Sequence, residues 1–230
     1  MLKHFIGLQW KSFFRSATFK TEIWFKILMA LGALYFIVVF LGMGVGAFFL
    51  IKEMEMGDPL RVVNQFMIYY LAFDLVFRYM LQKMPVTNIK PLLYLPISKS
   101  KVVNFSLGKT LISFFNLAHA FFFIPFSIVL LVEGYPPLQV VGWHLALMAI
   151  IYCNNFINVM VNNQNVVFYI IAALFIVAGA SQYYQWFDIT IYTGPIFDFF
   201  YDIPWTAIIP WLILIGLYLS LIHISEPTRR

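Results

Sequence analysis

Long uninterrupted apolar runs recur along this chain, and they constrain its fold more than any other feature. The clearest covers residues 27–51, about 25 positions without a single charge. A helix rises 1.5 Å per residue, so about 20 residues cross a hydrocarbon core of about 30 Å. Inside lipid the backbone must satisfy its own hydrogen bonds, which a helix does within one segment. Further runs at 62–82, 104–132, 138–157, 166–180 and 205–218 predict five more spans. None shows the strict apolar–polar alternation of a membrane barrel. With 62% hydrophobic and 11% charged residues the chain falls far short of the roughly 25% charge of soluble domains, which excludes a water-soluble globule. The expected fold is all-α: a polytopic membrane helical bundle of about six transmembrane helices.

The first 20 residues predict a helix of another kind. At 100° per residue Leu2, Ile6, Trp10, Phe13, Phe14 and Ala17 share one face over 2–20, with His4, Lys11 and Arg15 opposite and Lys3 breaking the pattern. An aromatic face against a basic one fits an amphipathic helix lying in the interface of an anionic leaflet. The plainer alternative is a solvated basic lead-in that serves topology alone. About 26 mixed residues then precede a long apolar run, unlike a secretory signal.

Charge orients the bundle. With the N-terminus inside, Lys3, Lys11, Arg15, Lys20, Lys26, Arg78, Lys83, Lys90, Lys99, Lys101 and Lys109 fall on the inner side, and only Lys52 and Arg61 outside. That asymmetry predicts a cytoplasmic N-terminus. Tyr183, Tyr184, Trp186 and Trp205 then suit the outer aromatic belt. The net charge of +5 is distributed by membrane side, so it does not point to nucleic acid. Between spans the sequence predicts a polar loop at 52–59, a turn at 133–137, a polar uncharged turn at 154–165 and an aromatic loop at 181–204. Small residues at Gly42, Gly44 and Gly46 allow a close helix approach.

Few residues offer chemistry. Asp74 and Arg78 stand at i, i+4 inside the second span, where they face the same side and can pair. Intramembrane charges are candidates for transport or gating, against the plainer reading of a structural pair in which Arg78 snorkels to the interface. His119 and His144 stand alone in their spans and read as hydrogen-bonded bundle histidines. Asn154, Asn155, Asn158, Asn162, Asn163 and Asn165 read as helix caps and interhelix bonds, or as a polar lining to a substrate path. Asp198 and Asp202 read as acids of a solvated loop. Cys153 is the one cysteine, so neither a disulfide framework nor a cysteine metal site forms within the chain. There is no HExxH and no GxxxxGK[ST] phosphate loop, hence no expected enzyme activity, cofactor or metal site, and no ATP hydrolysis by this chain.

The segment QKMPVTNIKPLLYLPISKSKVVNFSLGKTLISFF at 82–115 separates the second and third spans. Pro85 ends one helix, 88–95 can form a short surface helix, Pro96 stops it, and Ser98 can cap the next. A short helix flanked by lysines suits docking in a cleft of a soluble partner. Here the chain resembles the permease subunits of type-2 ABC transporters, in which an LL-x-LPIS-[KR]-x-x-[IV] stretch occupies the first cytoplasmic loop. It stands as Leu92-Leu93-Tyr94-Leu95-Pro96-Ile97-Ser98-Lys99-Ser100-Lys101-Val102, with Lys109 following. The FFRS at 13–16 and the overall spacing also resemble a family of bacterial permease-like proteins about twice this length.

The resemblance covers 1–218 and implies a transporter subunit in the bacterial inner membrane, an exporter by family habit. A separate ABC ATPase would dock on 86–101 through Lys90, Leu92, Leu95, Pro96, Ser98, Lys99 and Lys101. A second six-span half would complete a dimer or pseudo-dimer. The alternative is a non-transporting membrane scaffold or sensor. The stretch LSLIHISEPTR at 219–229 resembles a translated sequencing adapter, which implies a non-native tail and a sixth span truncated near Tyr218.

Overall fold

The computed structural model describes residues 7, 11, 23–82, 99–161 and 164–225. The helix expected over 2–20 lies outside the described residues apart from Gly7 and Lys11, and so does 83–98. The described chain is helical, and six of its helices are long and apolar enough to cross a membrane.

Helix α1 is the first apolar run, Ile23–Glu53. Helix α2, Pro59–Leu81, starts where Asp58 caps it by accepting from the Arg61 amide at 3.0 Å, with Pro59 in its first turn. The third span is split into α3, Lys99–Leu111, and α4, Phe114–Val132. Helix α5, Pro137–Val161, is followed by α6, Asn165–Tyr183. The expected turn at 154–165 is thus helix as far as Val161, and its first asparagines lie on α5. The expected aromatic loop also contains a helix, α7, Thr190–Asp202, ahead of a 3-10 turn at Pro204–Ala207 and α8, Ile208–Ser225. Tertiary packing overrides the loop reading here: α7 buries Gly194, Phe197 and Phe200 against its neighbours.

Helix α5 is the hub, the most buried of the six spans, in contact with α2, α4, α7 and α8. Helix α1 packs along α4, where its buried Gly44 lies against the Phe122 carbonyl and the Pro125 ring. A Cβ at Gly44 would overlap backbone, whereas Gly42 and Gly46 face open space. Of the three glycines expected to allow close approach, one does so. Helix α6 has no buried residue and leans on α2 through the stacked pair Tyr79–Phe168, 3.9 Å between centroids.

Among the described residues two main apolar cores result, with a small third cluster of Ala146, Phe200 and Ala207. One main core joins α1, α2, α4, α5 and α7 around Trp143, fully buried against Phe123 and Phe126. The other joins α3, the last third of α5 and α8 through Leu107, Cys153, Phe156, Leu214 and Leu221. In lipid such cores cohere by close packing and not by water release, because the surrounding tails are equally apolar. Polar contacts therefore do much of the discriminating. They gather at two levels: the end of the bundle near Lys52, and the boundary between the two cores, toward Gln82.

Candidate functional site

Every fourth residue along α2 is polar from Tyr70 through Asp74 and Arg78 to Gln82, so the four form one stripe. That stripe faces polar side chains of α4 and α5, and through Asn116 and Asn155 it reaches Thr110 of α3. Arg78 is the centre, with no solvent exposure at all. Its Nε donates to Asp74 Oδ2 at 2.7 Å, its Nη2 to Asn116 Oδ1 at 2.8 Å, and its Nη1 to Asn155 Oδ1 at 3.3 Å and Gln82 Oε1 at 3.4 Å. Phe115 lies beneath the guanidinium, 5.8 Å from its carbon to the ring centre. The side chain does not snorkel; its charge stays inside the bundle.

Asp74 is held from three helices. Besides Arg78, it accepts from Asn154 Nδ2 of α5 at 2.7 Å and pairs with His119 Nε2 of α4 at 2.9 Å. The other nitrogen of His119 meets the Tyr70 hydroxyl. With Asp74 ionised, the bonding fits an Nε2–H imidazole whose Nδ1 accepts from Tyr70. An ion held this deep is costly unless paired and fully bonded, and this one is both.

The asparagines complete the network. Asn116 donates from Nδ2 to the carbonyls of Thr110 and Leu111 at 3.0 and 3.1 Å. Asn155 donates to Thr110 Oγ1 at 2.9 Å and accepts from Gln82 at 3.0 Å. Asn158 is nearly fully buried beside Gln82, and its Oδ1 has no hydrogen-bond partner among the described residues. No group of three His, Cys, Asp or Glu side chains among the described residues could hold a metal ion. The arrangement holds a charge and ties helices together.

The sequence alone names Asp74 and Arg78, and the structure sets them at the core of this network. It pairs His119 with Asp74, and His144 Nδ1 with Ser127 Oγ at 2.8 Å, the latter beside an apolar groove of about 180 Å³ between α4 and α5. Lys99 and Lys101 occupy the first turn of α3. Lys90, Leu92, Leu95, Pro96 and Ser98 lie outside the described residues, as do Asn162 and Asn163. Sequence reasoning missed Tyr70, Gln82, Thr110 and Asn116. The four-residue repeat of polar side chains on α2 was the available signal for the first two.

At the Lys52 end the polar contacts are more open. Arg61 pairs with Asp202 at 2.5 Å and Asp198 at 3.2 Å, and Lys52 with Glu133 at 2.6 Å. Asp198 and Asp202 are therefore not acids of a solvated loop; they stand on α7 and bind it to α2. Asn64 donates to Asp198 at 2.7 Å and accepts from the indole of Trp143 at 2.8 Å. Tyr135 donates to Asp58 Oδ2 at 2.6 Å, and its hydroxyl is held well above the ordinary tyrosine range, first by burial and then by that bond.

A family model described as a family of unknown function (DUF5687) matches residues 9–226. No curated protein and no solved structure matches the chain.

Proposed function

The chain belongs to the DUF5687 family, and we propose that it is a membrane-spanning subunit of an ABC-type transporter, driven by a separate ATPase that docks on residues 86–101. One observation supports the reading most. The helices on either side of the basic segment converge on a single buried network: α2 delivers Arg78 and Gln82, α3 delivers Thr110, and Asn155 of α5 bonds both Gln82 and Thr110. A push on the segment between α2 and α3 would reach the centre of the bundle through hydrogen bonds and not through loose lipid-facing contacts.

In this reading the N-terminus and the Gln82 end face the cytoplasm of a bacterial inner membrane, as the lysine bias requires. Arg78 and Asp74 are then structural transmitters of movement. The expected direction is export. A second six-span half completes the translocation path.

The test is co-purification of the chain with an ABC ATPase encoded beside it, with Leu95, Pro96 and Lys99 altered together. Loss of assembly and of ATPase stimulation is expected. Unchanged assembly and stimulation would sink the docking assignment and leave the membrane scaffold as the better reading.

A further inference from the structure

The structure breaks the third span between α3 and α4, and the break coincides with the boundary between the two main cores. Helix α3 ends at Leu111, Ser113 is extended at φ −83°, ψ 156°, and α4 begins at Phe114. Ser113 caps α4 by accepting from the Asn116 amide at 3.5 Å, so it offers the chain a local alternative to continuing the helix. Ile112 between them is largely exposed.

A break inside lipid leaves carbonyls that no water can satisfy, at a cost of several kcal/mol each if left bare. Here the Thr110 carbonyl accepts from the Ser113 backbone N–H at 3.2 Å, and the Asn116 side-chain amide donates both to it and to the Leu111 carbonyl. That amide is in turn held by Arg78 Nη2. The two arms of the span also belong to different bodies. Leu107 of α3 packs with Phe156, Leu214 and Leu221, whereas Phe123, Phe126 and Leu130 of α4 pack around Trp143.

We propose that residues 111–114 are a hinge on which α3 swings as an arm against α4, with the Asn116 carboxamide as its catch and Arg78 as the post that holds the catch. Side-chain bonds to carbonyls exchange by rotamer change, while a continuous helix would have to give up backbone bonds. Element ends that absorb backbone change are the usual hinge positions. An ATPase docked near Lys99 would act on this arm, but the hinge does not rest on that docking.

The test uses the full chain in lipid nanodiscs. Spin labels go on Lys109→Cys of α3 and Ile128→Cys of α4, both exposed sites, in a Cys153→Ala background. The parent is expected to show one main interlabel distance. Asn116→Ala is expected to add a second, distinct distance. Amide protection over 112–116 is expected to fall about tenfold, in line with losing two ordinary hydrogen bonds. Should Asn116→Ala fail to fold, Asn116→Gln keeps the amide but sets it one methylene too far, and the same second distance is expected. An unchanged single distance in the folded variant overturns the hinge. So does a loss of protection that extends equally into α1 and the rest of α4, since Asn116 would then pin the whole bundle and not one arm.

Discussion

Arg61 and Arg78 sit on the same helix, and each meets aspartate, yet they work in different media. The Arg61 side chain keeps 37% of its exposure beside Asp198 and Asp202, while Arg78 keeps none beside Asp74. An exposed pair gains little, because water screens it and ordering two long side chains costs entropy. A buried pair also gains little net stability over an apolar replacement, but breaking it strands a charge where nothing can solvate it. The Lys52 end is therefore a lattice of small, replaceable ties between α2, α7 and the 133–136 turn. The Asp74–Arg78 level is a network in which each member depends on the others.

The largest effect should come from stranding one charge. Arg78→Leu is expected to destabilise the chain by about 3–5 kcal/mol, read as loss of monodisperse protein and of thermal stability in detergent. Asp74→Leu with Arg78→Leu together should cost less. A double variant as damaging as the single would show that the pair is not the unit.

Next comes Asn64, a polar residue of the Lys52 end that is fully buried. It lies between Trp143 and Asp198, so it should behave like the inner network despite its address. Asn64→Leu leaves the indole N–H unpaired and should cost about 1–3 kcal/mol. A cost as small as that of a surface change would mean that position, not burial, separates the two regions.

Arg61→Gln should cost no more than about 1 kcal/mol, and the difference from the parent should shrink in high salt. An effect near that of Arg78→Leu, insensitive to salt, would collapse the comparison.

The smallest effect is alkaline. Tyr135 stands outside the spans, and burial with the Asp58 bond raises its hydroxyl above the ordinary value near 10. Folding therefore keeps its proton on. That contribution is whole below about pH 10 and is lost as pH rises through the higher folded value. Tyr135→Phe should flatten the decline in melting temperature above pH 10; an identical decline would remove Tyr135 as its source.

Much of the frame is legible in the residues. Long apolar runs set the six candidate spans, because a helix satisfies its backbone hydrogen bonds within one segment, as lipid demands. The spacing of Asp74 and Arg78 sets their pairing. Other parts were not legible for a definite reason. Ser113 and Asn116 in LISFFN look like incidental polar residues until Arg78 arrives from another helix to fix the amide. The 190–202 stretch reads as a loop because its acids look solvated, and Arg61, some 140 positions away in the chain, makes them partners.

Local sequence determined which segments are long and apolar enough to form the six candidate spans, since that follows from the hydrogen bonding and solvation of a short stretch against lipid. The tertiary structure alone decided that the apolar interior divides into two main cores, that a polar level lies between them, and that the third span breaks there. Those outcomes depend on side chains from four helices meeting in one place, and no single stretch of sequence contains that meeting.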